Sequence, residues 1–480
     1  MNTKGVDFYG FLSSASDYAL RWYYPSGDAS NPTTVFLGAA NKMYQGACQI
    51  TGSNISGLYG RFEWDFLYNM QEVAESNFAS INPYTGNIDD VGMCNMLSTP
   101  SIVKPEYAVS YGFYDAGTGL GGLPNNDQSY VYVTENYSNW MGNLAKQNPL
   151  FGKLPFTSVA LPGAHDAGTF DPTKMQAMLQ IPGFVSLIST ILGPIFKLSS
   201  EFFLATAIGG LERLLTNFGF TQKDDITTML NLGVRYFDFR PGYCATVNEG
   251  ELYHQHKFIP GYPYISFLED ILTFLKNNPT EIVVVNLNFQ NFYSPQMQPL
   301  QAVLDTYLAN AMTATGTTDS IGYINGNTLT STNISYSGLI ADKTRLIFLN
   351  QLDGMNDASK CDSYDKNVYR TTDVTQIINH LSDMTSSQQK GTDYTVLQLQ
   401  STAQAVAGGI WSNIATLSDA SSPLLATKAM FDHQTYPWLL AHVANMFMPN
   451  QNIVFLNDFA DNALVNAAIE VTNQRLANIS

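Results

Sequence analysis

The chain has 480 residues, of which 45% are hydrophobic, and a formal net charge of −17 at pH 7. This length exceeds that of one ordinary domain and the apolar content supports a sizeable core, so we expect one large and one smaller domain. Because so acidic a chain repels nucleic acid and anionic membrane surfaces, we expect no nucleic-acid partner, and any lipid contact must come from apolar insertion.

Composition and cysteine spacing also indicate the compartment. Only 13% of residues are charged, a profile common in secreted proteins, and we expect an extracellular protein that is peripheral at membranes. The first residues lack the apolar core of a secretory signal. Cys48, Cys94, Cys244 and Cys361 show no C-x-x-C spacing, which disfavours a zinc or redox motif. A Cys48–Cys94 disulfide and four thiols are both compatible with this pattern.

Residues 1–130 are predicted to form an all-β accessory domain. Short aromatic runs, for example at 18–24 and 107–114, alternate with clusters of Gly, Pro, Asn and Asp. This rhythm indicates a sandwich of antiparallel strands. We interpret Trp22 and Trp64 as core residues, and a glycan or lipid-headgroup site lined by such aromatic side chains is the alternative.

Strands alternate with helices over residues 131–480. Apolar residues recur at helical spacing over 261–278, and apolar strands are predicted at 282–289, 344–350, 394–399 and 452–456. This alternation predicts an α/β fold, a (β/α)₈ TIM-like barrel, for the larger domain.

An apolar segment at about 174–216 interrupts the alternation. Its Pro-Gly and Gly-Pro pairs at 182–183 and 193–194 divide it into pieces shorter than the ~20 residues that a membrane span needs. We therefore expect no transmembrane helix. The segment is either a helical hairpin packed on the barrel or a lid at the membrane interface.

The sequence Leu-Pro-Gly-Ala-His-Asp-Ala-Gly-Thr at 161–169 contains the first candidate site residues. A strand predicted at 156–161 ends at Pro162-Gly163, which places His165 and Asp166 at the exit of the strand. A histidine there can transfer protons near neutral pH, and the carboxylate beside it can tune its pKa.

Two further strand ends carry basic and imidazole side chains. Along the predicted strand 233–240, Asp238 and Arg240 point the same way, and a guanidinium suits a phosphate; a salt-bridged pair that closes the barrel is the alternative. In Leu-Tyr-His-Gln-His at 252–256, alternation places His254 and His256 on one side. Each of these histidines taken alone is also compatible with a core role.

The last predicted strand is followed by Asp458 and Asp461. A carboxylate at this point can bind a catalytic imidazole and fix its tautomer, whereas capping of the following helix is the alternative. Because the strand ends of a barrel converge on one face, His165, Arg240 and His254 are predicted to meet in one site.

These motifs together resemble the X domain of phosphatidylinositol-specific phospholipase C, a PLC-like phosphodiesterase, in its bacterial metal-independent type. Residues 161–168 resemble the first histidine motif of that family, and 233–240 its Gly-x-Arg strand. Residues 252–258 resemble its Tyr-His-Gly-His motif, and 281–288 the strand after the helix. The resemblance covers residues 135–290 and the strand before Asp458.

The resemblance implies a role for each matched residue. His165 would be the general base, oriented by Asp458, and His254 the general acid. Arg240 would stabilise charge on the phosphate, and Asp166 would adjust either Arg240 or His254. His254 is preferred to His256 because it matches the histidine that precedes the family's glycine, which is a glutamine at position 255 here.

The resemblance also implies the reaction. The inositol 2-hydroxyl of a phosphatidylinositol-type lipid would attack phosphorus at a membrane surface and give cyclic inositol phosphate and diacylglycerol. Asp238, His256 and Asn288 would contact the substrate. Arg240 and Asn288 stand where calcium-dependent animal enzymes carry acidic residues, so no calcium or other cofactor is expected. The alternatives are a catalytically retired barrel that binds membranes or glycans, and a metal-dependent glycerophosphodiesterase or sphingomyelinase D relative.

Overall fold

The computed structural model divides the chain into two compact units. Unit 1 contains Met1–Glu135, Arg370–Val374 and Ser401–Pro437, and unit 2 contains Asn136–Tyr369, Thr375–Gln400 and Trp438–Ser480. Within them the structure describes residues 4–14, 17–24, 33–37, 40–50, 61–81, 88–90, 99–114, 124, 126–196, 208–245, 250–289, 292–350, 360–363, 369, 371–384, 394–401 and 423–479.

Unit 1 contains two five-stranded sheets. Their strands are β1 (Lys4–Leu12), β2 (Tyr18–Tyr24), β3 (Thr33–Leu37), β4 (Tyr44–Ile50), β5 (Arg61–Tyr68), β6 (Gln71–Ile81), β7 (Ile88–Asp90), β8 (Ile102–Val103), β9 (Ala108–Tyr114) and β10 (Asp127–Thr134). The sheet orders are β4-β1-β10-β9-β8 and β3-β2-β5-β6-β7. Strands β1 and β10 pair in parallel, and the other described pairings are antiparallel.

Side chains from both sheets form one apolar core. Along β1, the alternating residues Val6 and Phe8 are buried against residues of the second sheet, as expected for a strand with one face on a core. Trp22 and Trp64 are 0% and 1% exposed and belong to this core, which fits the interpretation favoured from the sequence. The predicted all-β sandwich is confirmed, and the parallel β1–β10 pair is its one departure from the antiparallel pattern among the described pairings.

Unit 2 contains a parallel sheet and a small antiparallel one. The strands are β11 (Ala160–Ala164), β12 (Tyr236–Phe239), β13 (Pro241–Gly242), β14 (Tyr253–His256), β15 (Ile259–Pro263), β16 (Val283–Leu287), β17 (Gly322–Asn325), β18 (Thr344–Asn350), β19 (Lys360–Asp362), β20 (Tyr394–Gln398) and β21 (Asn452–Asn457). Eight of them form the parallel sheet β17-β18-β16-β12-β11-β21-β20-β19, and β13-β14-β15 form the antiparallel sheet.

The parallel sheet has the strand order of a barrel wall, except that β18 lies between β16 and β17. Its first strand in sequence, β11, pairs in parallel with both the second, β12, and the last, β21, and a barrel requires its first and last strands to be neighbours. In the described residues, β17 and β19 are the ends of this sheet. The predicted α/β fold of the TIM-like barrel class is confirmed.

Helices alternate with these strands, as predicted. They are α1 (Trp140–Gln147), α2 (Pro149–Lys153), α3 (Thr173–Leu179), α4 (Pro182–Phe196), α5 (Ile208–Gly219), α6 (Ile226–Leu232), α7 (Tyr264–Asn277), α8 (Gln301–Thr315), α9 (Gly326–Thr332), α10 (Tyr336–Ala341), α11 (Val374–Asp383), α12 (Pro423–Met446) and α13 (Asn462–Ile479). Helices α3 to α5 occupy the described part of the apolar segment. Among the described helices, none is both long and apolar enough to cross a membrane.

Two strands begin later in the chain than the sequence predicts. Phe156–Ser158 is a 3₁₀ turn, and the strand that follows, β11, runs through Pro162 and Gly163 instead of ending there. Glycine fits because a Cβ at Gly163 would lie 3.0 Å from the Tyr236 ring, so neighbouring strands approach closely. Gly233, predicted to begin the second strand, caps α6 with φ of 110°, and β12 starts at Tyr236.

Two of the four cysteines have side chains within the described residues. The side chain of Cys48 and the whole of Cys94 lie outside the described residues, so the predicted alternative of a disulfide stays a prediction. Cys244 and Cys361 are thiols.

Candidate active site

The carboxyl ends of three neighbouring strands carry polar side chains at one end of the sheet. His165 and Asp166 directly follow β11, Arg240 follows β12, and Asp458 follows β21. Since these strands are parallel and adjacent, their carboxyl ends meet. The antiparallel sheet then adds β14: Pro241 pairs with His254, so the histidine strand returns to the point where β12 ends.

His165 forms a hydrogen-bonded dyad with Asp458. The distance between His165 Nδ1 and Asp458 Oδ1 is 2.8 Å, and the backbone N–H of His165 donates to the Asn457 carbonyl at 3.1 Å. Burial lowers the pKa of His165, but the negative charges of Asp166 and Asp458 outweigh this effect and raise it to about 9. The carboxylate at Nδ1 leaves Nε2 as the atom that exchanges a proton with a ligand.

Arg240 joins two carboxylates across the site. Its Nε lies 2.7 Å from Asp166 Oδ1, and its Nη2 lies 3.2 Å from Asp238 Oδ2. Asn286 Nδ2 donates to the other oxygen of Asp238 at 3.1 Å. Burial alone would raise the pKa of Asp166, yet the charges of Arg240 and His165 hold it well below the usual range. The guanidinium is therefore fixed in orientation, with its Nη2 also 3.3 Å from His165 Nε2.

His254 lies behind this cluster and is fully buried. Its Nδ1 accepts a hydrogen bond from the Arg240 backbone N–H at 3.3 Å, so the neutral ring carries its proton on Nε2, which lies 3.5 Å from Asp166 Oδ1. Burial lowers the pKa of His254. With 0% of its surface exposed, the ring connects Arg240 to Asp166 and does not face solvent.

His256 is at the surface of the same site. Its Nδ1 is 2.8 Å from the Gly219 carbonyl; because a carbonyl only accepts, Nδ1 carries the proton and Nε2 is left for a ligand. Nε2 lies 4.0 Å from Asp166 Oδ2. Burial lowers the pKa of His256 to about 4.

The residue after His256 has an unusual backbone conformation. Lys257 has φ of 64°, in the left-handed region that favours glycine, whereas Gln255 lies inside β14. Lys257 therefore has a glycine-like backbone conformation directly after His256.

The imidazoles and the guanidinium lie outermost in the site, and the carboxylates lie behind them. The exposed fractions of the side chains are 24% for His256, 17% for His165 and 11% for Arg240, against 6% for Asp458, 4% for Asp238 and 1% for Asp166. A ligand that enters the site thus meets imidazoles and a guanidinium first. This arrangement suits an anion with several oxygens, such as a phosphate.

Asn288 and Asp461 occupy different surroundings. The backbone N–H of Asn288 donates to the Phe239 carbonyl at 3.1 Å, which places this residue next to the strand end that bears Arg240. Asp461 accepts the Leu464 N–H at 2.8 Å and so caps α13. Of the two acids considered from the sequence, Asp458 therefore faces the imidazole and Asp461 caps the helix.

The cluster does not fit a calcium ion. His165, Asp166 and Asp238 offer ligand atoms within 4.8 Å of one another, but Ca²⁺ requires six to eight oxygens. Both carboxylates are already ion-paired with Arg240, so a cation at this point would have to displace the guanidinium.

The sequence did not indicate the residues at the end of α5 and directly after it, which contact His165 and His256. Besides the Gly219 carbonyl, Thr221 and Gln222 contact the backbone at His165. These contacts use main-chain carbonyls, which leave no periodic pattern. The only signal is a Thr-Gln pair that ends the apolar run after Phe220.

Comparisons with known proteins give a limited match. No family model matches the chain. It is similar to PI-PLC X domain-containing protein 3 of Danio rerio, with 28% identity over 165 residues, which are 33% of this chain and 44% of that protein. The human PI-PLC X domain-containing proteins 3 and 2 are 26% identical over 164 residues and 25% identical over 165 residues. The matched region spans less than half the length of these relatives.

Two bacterial structures are also similar. Phosphatidylinositol-specific phospholipase C from Listeria monocytogenes has a TM-score of 0.41 and 14% identity, and covers 70% of this chain and 98% of that one. The enzyme from S. aureus has a TM-score of 0.42 and 15% identity, and covers 70% and 97%. The predicted resemblance to PI-PLC X domain proteins is confirmed by the curated relatives; because those relatives are animal proteins, they do not support its bacterial type.

Proposed function

We propose that this protein, like the X domain that it resembles, is a phosphodiesterase that cleaves phosphatidylinositol-type lipids at a membrane surface without a metal ion. The observation that carries the proposal is the layered site, in which His165, Arg240 and His256 face solvent in front of buried carboxylates. A phosphodiester needs a base, an acid and a positive charge between them, and these three side chains supply one of each.

His165 is proposed as the general base. Its Nε2 removes the proton of the inositol 2-hydroxyl, whose oxygen then attacks phosphorus to close a cyclic phosphate. Asp458 at Nδ1 keeps the ring in the required tautomer and stabilises the imidazolium that forms. Because the pKa of His165 is raised to about 9, the free protein holds a proton here at neutral pH, and the base form becomes more populated as pH rises.

Arg240 stabilises the charge that develops on the non-bridging phosphate oxygens. Its planar donors can bind two oxygens at once, and Asp166 and Asp238 fix the plane of the guanidinium from behind. Since the positive charge is already oriented, little reorganisation is needed in the transition state.

His256 is proposed as the general acid in place of His254. A general acid must touch the leaving oxygen, and His254 is buried behind Arg240 while His256 is partly exposed. His256 protonates the glycerol oxygen as its bond to phosphorus breaks, which releases diacylglycerol. The low pKa of His256 rises when an anionic phosphodiester binds beside it, because a nearby negative charge favours the imidazolium.

The remaining predicted residues have supporting roles in this proposal. His254 holds Asp166, and Asp238 holds Arg240, through the contacts described above. Asn288, next to the end of β12, is proposed to contact the inositol ring. Because Arg240 occupies the carboxylates that a metal would use, we propose that the reaction needs no metal.

The test is His165→Ala with phosphatidylinositol vesicles. Loss of the base should reduce formation of cyclic inositol phosphate by about 10²–10⁴-fold while the circular dichroism spectrum and the melting temperature stay close to those of the wild type. His442→Ala, which changes an exposed histidine on α12, is the matched control and should keep full activity. Undiminished turnover by His165→Ala contradicts the proposal, and lipid binding without turnover by the wild type indicates a binding protein.

A further inference from the structure

Residues 219–222, named here the clamp segment, contact the ends of β11, β21 and β14. The segment begins with the last residue of α5 and ends with Gln222, a buried residue that is 1% exposed. Thr221 Oγ1 donates to the His165 carbonyl at 2.8 Å, and Gln222 Nε2 donates to the same carbonyl at 2.9 Å. The main chain that bears the proposed base is therefore held by two side chains from this segment.

The same amide also holds the loop that bears Asp458. Gln222 Nε2 donates to the Asn457 carbonyl at 3.2 Å, and Gln222 Oε1 accepts the Ala460 N–H at 2.9 Å. These two residues lie on either side of Asp458 in the chain. One side chain thus connects the main chain of His165 to the main chain around its carboxylate partner.

The proposed acid is attached to the clamp segment as well. The Gly219 carbonyl accepts the Nδ1 proton of His256 at 2.8 Å, which leaves Nε2 directed to the site. Both imidazoles of the proposed reaction are consequently positioned from one stretch of four residues.

The two loops joined by Gln222 have strained backbones. Asp166 and Phe459, the neighbours of His165 and Asp458, have φ of 44° and 48°, which is uncommon for residues other than glycine. Such conformations persist only where surrounding contacts enforce them. The Phe459 N–H donates to the Thr221 carbonyl at 2.6 Å, and Gln222 supplies the neighbouring contacts.

We propose that Gln222 is a positioning residue, whose carboxamide holds the loops after β11 and β21 so that Asp458 stays bonded to His165. The role rests on the proposed function. Only a carboxamide offers, in this place, donors for two carbonyls and an acceptor for an N–H. A carboxylate lacks the donors, and a thioether of similar length has no donor and only a weak acceptor.

Gln222→Met and Gln222→Glu should lower kcat on phosphatidylinositol vesicles by about 10–100-fold, the range for partners that orient a functional imidazole. KM should change little, because no substrate contact is removed. The rising limb of the pH–rate profile should move to lower pH, since His165 loses part of the stabilisation that Asp458 gives its charged form. A residue that only supports folding would lower the yield of folded protein and leave this limb in place.

The matched control is Gln451→Met. Gln451 is a buried glutamine that precedes β21, at the end opposite to Asp458, and its amide donates to Thr395. This variant should lose stability comparably yet keep both kcat per folded molecule and the pH limb.

A second measurement separates this inference from the proposed function. Nitrogen-15 NMR titration of the histidine side chains, with His165→Ala for assignment, should show a lower pKa for His165 in Gln222→Met than in the wild type, whether or not the protein cleaves lipid. A lowered pKa in a protein without turnover supports the positioning role and contradicts the enzyme. An unchanged pKa of His165 in both Gln222 variants overturns the positioning role, even where the wild type is active.

Discussion

The two ends of β12 carry arginines in opposite circumstances. Arg235 precedes the strand, is fully buried, and makes five hydrogen bonds, two of them to Glu281. Arg240 follows the strand, is partly exposed, and contacts Asp166 and Asp238. The first network is saturated by protein groups, whereas the second leaves a guanidinium facing the solvent.

The charges around the two arginines also differ, and they shift the two pKa values in opposite directions. Burial lowers the pKa of Arg235 and the single carboxylate of Glu281 does not fully compensate, whereas for Arg240 the charges of Asp166 and Asp238 outweigh burial and raise the pKa. In a barrel, residues at the carboxyl ends of strands serve catalysis and those at the amino ends serve stability. We infer that Arg235 maintains the fold and Arg240 acts on the ligand.

The largest expected effect is on Arg240. Arg240→Ala removes the positive charge that faces the phosphate, and turnover of phosphatidylinositol should fall by about 10³–10⁵-fold, the worth of an arginine that stabilises a phosphoryl transition state. Initial rates of cyclic inositol phosphate release measure the effect. Arg240→Lys should recover only part of the loss because an ammonium cannot bind two oxygens in one plane. Full recovery by lysine would contradict the bidentate role.

The second prediction separates the two histidines of β14. His256→Ala should reduce cleavage of phosphatidylinositol by about 10²–10⁴-fold but leave most of the activity on a nitrophenyl inositol phosphate, whose leaving group needs no proton. His165→Ala should lose activity on both substrates. The assay is the ratio of the two initial rates.

His254→Ala is the matched control for that comparison. As a buried ring between Arg240 and Asp166, it should lower both rates in similar proportion. If His254→Ala alone shows the dependence on the leaving group, the acid is His254, as expected from the sequence.

The third prediction concerns the buried arginine. Arg235→Met leaves Glu281 buried without its partner, which should cost about 3–5 kcal/mol of unfolding free energy, measured by urea denaturation. Activity per folded molecule should stay near that of the wild type. The Arg235→Met/Glu281→Met variant should regain much of the stability; a fall in its specific activity would contradict the separation of the two networks.

The fourth prediction is a shift of pH dependence that accompanies a loss of rate. Asp458→Asn removes a charge that stabilises protonated His165, so the pKa of His165 falls from about 9. Because a base acts when it is deprotonated, the rising limb of kcat/KM against pH should move to lower pH. Asp461→Asn, which alters the cap of α13, should leave the limb unchanged. An unmoved limb in Asp458→Asn would mean that the dyad is not the titrating unit.

The sequence predicted the parts of the site that follow from strand order. His165, Arg240 and Asp458 could be found because each follows an apolar strand, and the carboxyl ends of neighbouring parallel strands converge. Alternation along the predicted strand 233–240 also placed Asp238 and Arg240 on one face. These inferences need only the period of the strand and the direction of the chain.

The rest depends on tertiary contacts that leave no local pattern. The choice between His254 and His256 depends on the full burial of His254 and the partial exposure of His256. Gln222 binds main-chain carbonyls, whose positions no side-chain pattern encodes. The start of β11 was predicted too early because the buried 3₁₀ turn Phe156–Ser158 leads almost directly into the strand.

The most direct test follows the phosphorus during cleavage by the wild type. Phosphorus-31 NMR of phosphatidylinositol vesicles with the protein and excess EDTA should show cyclic inositol phosphate as the first product, at a rate that added calcium does not raise. No turnover under any condition, turnover only with added metal, or an acyclic phosphate as the first product would contradict the account.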